Sequence, residues 1–416
     1  MNDPVIKILK SSCVESALAV LFLFAAPMAH AQSFIFPGAS STYESGLSQT
    51  NTHGAAAVAN NPANTLLTKK YEAYADMTIL NVNYTYTRPD HAPAKIAITA
   101  PPVNFGFSLK PSSKFALGLF FTPRPGGSQA QKIQNVPVST GADVLMLDLE
   151  LRSTSFITAM GAGFKVNKSL ALGLSVIETA EDTQVIARQS GTTDDAGVLA
   201  GMRYRGVFMQ VLAGFRAAMN SATVVAGSYR TAVAKSYRGT EIVKGDQDNN
   251  ISKKGYSPGI LAIGGEHKLG APVVFSEIQY VQWSGGKASN SSGLPGGVNF
   301  SALNDVINLI VGGRLKIPGG HSGSASLGIY PHNVALGSKT EEISSADAAS
   351  GVGFGDFDAL DRMMFSGSYR YSGKKRDITA GFNFISGSRT VPSGYPNEGK
   401  YALSVFSVGA GASFYF

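Results

Sequence analysis

Residues 401–416, YALSVFSVGAGASFYF, decide the fold. Counting back from Phe416, one register carries Phe414, Ala412, Ala410, Val408 and Phe406, all apolar. The other carries Tyr415, Ser413, Gly411, Gly409 and Ser407, mostly small or polar. A period of two gives a strand with two unlike faces. Its sixteen residues exceed the roughly five or six of a soluble strand. They also exceed the about 9–11 tilted residues that cross a bilayer. The stretch predicts a membrane-crossing strand.

The N-terminus points to the same compartment. Lys7 and Lys10 precede an apolar run at 17–26, and Ala29-His30-Ala31 offers the small-x-small pattern cut by signal peptidase. The run is too short to span a membrane and has the order of a secretory signal. Cleavage is expected after Ala31, leaving 1–31 outside the fold. Cys13, the one cysteine of the 416 residues, leaves with it, so disulfides, thiolate catalysis and cysteine-held metal are excluded.

Composition fits a barrel. Hydrophobic residues make up 44% of the chain, yet no apolar stretch after the signal approaches the length of a spanning helix. Backbone groups in hydrocarbon must pair internally, which leaves a closed barrel. The 47 glycines and 10% aromatics suit such strands. The net charge of +7 is scattered singly, with no basic cluster longer than Lys374-Lys375-Arg376. Solvated turns and lumen charges account for it better than nucleic acid does.

Fourteen strands are predicted: 71–86, 101–109, 114–122, 154–165, 170–187, 200–216, 221–237, 257–268, 273–283, 305–316, 322–331, 361–372, 376–388 and 401–416. Short connections (110–113, 166–169, 217–220, 269–272, 318–321, 373–375) alternate with long ones (123–153, 238–256, 284–304, 332–360). Short turns at one end and long loops at the other is the order of a membrane barrel. A β-sandwich lacks that strict alternation. The fold class expected is all-β, a transmembrane antiparallel barrel over 71–416.

Residues 32–70 differ, being rich in Gly, Ala, Ser, Asn and Thr without alternation. About fourteen strands enclose a bore too wide for wall side chains to fill. This segment is expected either to plug that bore as a hatch or to hang as a periplasmic tail. Phe34, Ile35, Phe36, Leu47, Val58, Leu66 and Leu67 favour docking.

Ala57-Val58-Ala59-Asn60-Asn61-Pro62-Ala63 resembles the Asn-Pro-Ala stretch in the N-terminal hatch of the FadL/TodX outer-membrane transporters. Ser257-Pro258-Gly259 through Gly265-Glu266-His267-Lys268, followed by Glu277, Tyr280 and Trp283-Ser284, is similar to that family's Pro-led strand pair ending in Trp-Ser. The likeness runs over essentially the whole mature chain and departs at Asn60 and Asn64, which bears on substrate more than fold. It implies a monomeric outer-membrane channel for hydrophobic molecules such as long-chain fatty acids or aromatic hydrocarbons, with no cofactor. Cargo would be caught by loops, held in a lumen pocket and released sideways into the membrane lipid. Gly and Pro weaken strand pairing, so Gly118 and Pro123 are the candidates for that opening; ordinary curvature and plain loop are the alternative account. A general diffusion porin is the other function open to such a chain.

Arg203 and Arg205 share one face of the sixth strand. Facing inward, they would suit a carboxylate through bidentate hydrogen bonds; an ion-pair network or a place near the outer rim are the alternatives. Glu277, Arg314, Arg370 and Asp377 are expected in the lumen, paired with one another. Enzymatic chemistry finds no support: His53, His91, His267, His321 and His332 show no metal spacing, no Ser/His/amide set is identifiable, and Gly351-Val352-Gly353-Phe354-Gly355 lacks a strand–helix frame.

Overall fold

The computed structural model describes residues 50, 52–87, 93–100, 103–123, 131–139, 144–189, 198–243, 249–284, 304–331, 360–391 and 399–416. The expected leader, 1–31, lies outside them, as do residues 32–49 and the connections 285–303 and 332–359.

Eighteen strand segments form one antiparallel sheet. Four barrel strands consist of two segments each, so the wall has fourteen strands: β1 Tyr71–Thr87; β2 Ala94–Ala100 with Val103–Ser112; β3 Phe115–Pro123 with Gln131–Ser139; β4 Val144–Lys165; β5 Leu170–Gln189; β6 Val198–Ala218; β7 Thr223–Arg230 with Val233–Val243; β8 Asn249–Ser257 with Gly259–Lys268; β9 Pro272–Gln282; β10 Val306–Ile317; β11 His321–Tyr330; β12 Asp361–Ser372; β13 Arg376–Val391; and β14 Gly399–Tyr415. The wall closes where β1 pairs β14, from Glu72↔Tyr415 to Thr87↔Lys400. Closure removes the free edges that an open sheet presents.

The short turns follow their sequences. Asn167 Oδ1 accepts from the backbone N–H of Ser169 and Leu170, each at 2.8 Å. Asn220 does the same for Ala222 and Thr223 at 2.8 and 2.7 Å. Both are side-chain-built turns of the kind Asn favours. Two expected long loops are shorter than predicted. Within 123–153, Gln131–Ser139 pairs with Val144–Leu151, and within 238–256 the ladder runs on to Glu241↔Asn249. Leu145, Leu147, Leu149 and Leu151 already alternate in the first of these, so the strand pattern extends past the bilayer-spanning length.

On β14, Phe406, Val408, Ala410 and Phe414 are exposed, whereas Tyr401, Leu403, Val405, Ser407, Ser413 and Tyr415 are buried inside. The same holds round the wall: Phe107, Met160, Val207, Met209 and Ile307 are more than half exposed on the outside. An apolar outer belt on a closed sheet is a lipid-facing surface. No helix among the described residues is long and apolar enough to cross a membrane; strands do the crossing. Two 3₁₀ turns, Gly54–Ala59 and Pro62–Leu67, sit inside the wall at the short-turn end.

Candidate functional site

The 3₁₀ turns are the hatch, and their sequence explains their shape. Gly54 adopts φ +62°, a left-handed conformation open to glycine, and has Glu72 directly against it. The small residues that follow let the turn lie close to the wall: Ala55, Ala56, Val58 and Ala59 pack with Tyr74, Phe120, Ile157, Ala159, Ile177 and Leu212. Asn61 caps the second turn, its side chain accepting from Ala63 N at 3.2 Å, with Pro62 in the first helical position. The same Asn61 donates through Nδ2 to the Phe215 carbonyl of β6 at 2.9 Å.

Asn61-Pro62-Ala63 rests on bare backbone. Gly163, Gly173 and Gly214 are directly opposed across β4, β5 and β6. A Cβ on Gly173 would collide with Ala63 N, and one on Gly214 with Asn61 Oδ1. Only glycine lets the hatch lie this close.

Charged wall side chains bind the hatch main chain. Arg230 donates to Ala59 O at 2.8 Å, Arg216 to Thr50 O at 2.9 Å, and Lys110 Nζ to Leu66 O at 2.6 Å. Glu72 is buried and accepts from Ala55 N, Thr68 Oγ1, Ser108 Oγ and Ser413 Oγ at 2.7–3.2 Å. At the short-turn rim, Asp377 gathers Arg370, Lys69 and Tyr415, and Arg370 also reaches His53 Nε2 at 2.6 Å. Short 3₁₀ turns leave carbonyls and N–H groups without internal partners, and these side chains supply them.

Above the hatch the bore changes character. Going up β1, the inward residues run Glu72, Tyr74, Asp76, Thr78, then Leu80, Val82, Tyr84 and Tyr86. Opposite them on β14, Val405, Leu403 and Tyr401 face Val82, Tyr84 and Tyr86. Tyr86 stacks on Tyr401 with ring centres 4.7 Å apart, and on the neighbouring strands β6 and β7 Tyr204 meets Tyr237 edge-on at 5.1 Å. Buried Lys235 lies 3.3 Å from Glu181 and over the Phe208 ring. On β1 and β14 these upper inward positions are aromatic and aliphatic, while Lys235, Glu277, Arg362 and Arg389 are buried elsewhere round the wall.

The sequence-predicted residues separate into groups. Asn61, Pro62 and Ala63 come together in the hatch seat. Arg314 faces inward on Glu266 at 2.9 Å, Arg370 on Asp377, and Glu277 is buried beside Gln279 at 2.6 Å. Arg203 and Arg205 stand outside, not in the lumen: both are exposed, in register with Val207 and Met209, while Met202 and Tyr204 point in. Two residues per pleat repeat means that a strand's charged pair takes whichever face its neighbours dictate, and here Met202 and Tyr204 hold the inward one. Gly118 is opposite Gly161 and has Val58 of the hatch on its inner side; an added Cβ would come within 2.6 Å of Val58 Cγ1. On the lipid side an apolar groove of about 490 Å³, between Phe107, Leu117, Met160 and Phe416, also borders Gly118 and Gly161. Pro123 ends its segment opposite Phe156. Sequence reasoning missed Glu72, Lys110, Arg216, Arg230 and Lys235, although each sits on the inward register of its strand. Among the described residues no group of three or more His, Cys, Asp or Glu could hold a metal.

No family model and no curated protein sequence matches the chain. Solved structures share its fold. A FadL homologue of Pseudomonas aeruginosa superposes with a TM-score of 0.67 at 13% identity, over 91% of this chain and 98% of that one. The Pseudomonas putida toluene transporter TodX gives 0.58 at 10%, over 91% and 99%. The Ralstonia pickettii toluene transporter TbuX gives 0.57 at 13%, over 91% and 98%. At such identities the likeness is one of fold, and it extends over nearly the whole length of each partner.

Proposed function

We propose that the chain is an outer-membrane channel of the FadL/TodX kind, admitting hydrophobic molecules passively and acting as a single barrel. One observation carries this: a closed wall with residues 52–67 bonded inside it at the short-turn end, and buried apolar inward residues Leu80, Val82, Tyr84, Tyr86, Leu403 and Tyr401 toward the other end. A diffusion porin needs an open, water-filled bore. A toluene transporter among the structural neighbours supports the same reading.

The cargo favoured is neutral. Lys110, Arg216, Arg230, Lys235, Arg314 and Arg370 each already hold a protein acceptor. A carboxylate would have to displace one of these partners, whereas an aromatic or aliphatic molecule gains from those apolar inward residues by burial alone. For release we favour the wall at Gly118, where a bare backbone separates the hatch from the lipid-facing groove; five residues on, Pro123 has no N–H to give to β4.

A single set of recordings and uptake measurements tests this. In planar bilayers the native chain is expected to be almost silent, and deletion of 52–67 to open a steady conductance. Uptake of a neutral hydrophobic fluorophore by cells making L119C/M160C, a pair directly opposed across β3 and β4, is expected to stop on oxidation and return on reduction. Large steady conductance of the native chain would identify a porin; uptake indifferent to the cross-link would remove the exit at Gly118.

A further inference from the structure

Outside the bore, the two arginines expected in the lumen belong to a larger arrangement. Pairing sets Arg152 opposite Gln184, and Gln184 opposite Arg203. One step lower it sets Asp182 opposite Arg205, and Arg205 opposite Arg238. Arg152, Arg203, Arg205 and Arg238 are all exposed on the outer face. At this level and above, among the described residues of β4 to β7, the outward charges are these four with Arg188, against Asp148, Glu150 and Asp182.

Height matters as much as sign. On β6 the outward residues below Arg205 are Val207, Met209, Val211, Ala213, Phe215 and Ala217, all apolar, while on β5 Glu178, opposite Met209, also faces out. Ten residue steps of about 3.3 Å, tilted by about 40°, place Arg205 roughly 25 Å above Phe215. That equals the height of the lipid-facing band of such barrels, about 25 Å. The arginines therefore stand where hydrocarbon gives way to headgroups, at the end opposite the hatch.

Their own partners leave donors over. Asp182 accepts from Nε and Nη2 of Arg203 and from Nε of Arg205, out of five N–H groups on each guanidinium. Glu150 takes Arg152 at 2.7 Å. Arg203 is 49% exposed and Arg205 64%, and ion pairs this exposed hold only weakly. Guanidinium forks match phosphate oxygens bidentately.

We propose that this face docks the phosphate groups of a phosphorylated lipid of the outer leaflet, whose chains lie on the Val207–Met209–Val211 surface below. The inference rests on the membrane-spanning reading and not on the cargo, so uptake measurements leave it untouched. It would also hold the long strands β5 and β6 upright at the rim by anchoring them to the leaflet.

The test uses the full folded chain, freed of co-purified lipid in detergent. Lipid A carrying its phosphates, lipid A with them removed, and inorganic phosphate are added separately, with binding read by native mass spectrometry and by thermal unfolding. Phosphorylated lipid A is expected to bind and raise the unfolding temperature; R203Q/R205Q/R238Q should weaken binding by roughly tenfold or more, since several charge-assisted contacts go at once. Should that variant fail to migrate as a folded barrel on unheated gels, R203K/R205K/R238K serves instead, keeping charge but losing the fork, with weaker binding still expected. Equal binding of dephosphorylated lipid, full binding by the variants, or inorganic phosphate reproducing the whole effect would each overturn the proposal.

Discussion

The lower and upper halves of the bore are built from the same strands on opposite principles. Below, the inward positions of β1 and β14 are Glu72, Tyr74, Asp76, Thr78, Ser407, Ser413, Tyr415 and glycines, and hatch backbone packs among them. Above, the same registers carry Leu80, Val82, Tyr84, Val405, Leu403 and Tyr401. The polar half is not a polar pore. Its charges and its bare glycines both serve the plug, the charges by bonding peptide groups that 3₁₀ turns leave unpaired, the glycines by letting the plug come close. Polar groups placed in a barrel interior thus say little about what passes through; the apolar positions of β1 and β14 say more.

The comparison is broken most severely at the seat. In Gly173→Val the new side chain meets Ala63 N and the Pro62 carbonyl, both backbone and unable to swing away. Overpacking of this kind costs about 1–3 kcal/mol, and here the hatch can relieve it by lifting. The expected outcome is a folded barrel with a steady planar-bilayer conductance and a hatch newly open to protease. A variant as silent as the native chain would show that the wall, not the hatch, yields.

Much of this was legible in the chain. The alternation at 401–416 set the outward face of β14 correctly at Phe406, Val408 and Phe414, and the fourteen-strand count holds. Alternation, however, separates faces only where they differ. On β6 it placed Arg203 and Arg205 together but could not say on which side, because Met202 and Tyr204 are apolar as well. Asn61-Pro62-Ala63 marked the hatch, yet its wall partners Gly163, Gly173, Gly214, Arg216 and Arg230 are separated from it by more than a hundred residues and are joined to it only by the barrel's curvature. The hairpin at 131–151 falls within an expected loop, because these strands run past the length that a bilayer requires.

Next in size is the charge beneath the plug. Glu72 is buried and accepts from four donors, two on the hatch side (Ala55 N, Thr68 Oγ1) and two from the wall (Ser108, Ser413). Glu72→Ala leaves those donors without their acceptor inside the wall. Hydrogen bonds to a charged group contribute about 1.5–3 kcal/mol, do not add fully, and the freed hydroxyls can turn to other partners, so a loss of about 1.5 kcal/mol is expected. The urea midpoint of the refolded barrel measures it, and Glu72→Gln, which keeps the carbonyl oxygen, should recover a good part. Were Glu72→Ala as stable as the native chain, the lower half's charges would not be fastening the hatch.

The smallest effect belongs to the opposite rim. Asp305, which precedes β10, accepts from Ser284 N at 2.7 Å, Ser284 Oγ at 2.9 Å and Tyr280 OH at 2.5 Å, and so ties the Trp283-Ser284 exit of β9 to the next strand. Partial burial pushes its carboxyl up, but the hydrogen bonds from Tyr280, Ser284 and the Trp283 backbone outweigh that and hold it below the usual carboxylate range. A lowered native pKa means that the contribution is complete above the unfolded value, near pH 4, and is lost as pH falls through the native one. Asp305 is only partly buried, so solvent screening keeps the whole term under about 1 kcal/mol. Asp305→Asn should therefore lower the unfolding midpoint slightly at pH 7, with the gap to the native chain narrowing steadily as pH falls below about 4. A deficit that does not narrow on acidification would mean that the carboxylate's charge is not what holds Trp283 and Ser284, and that the upper rim, unlike the seat, is fastened by shape alone.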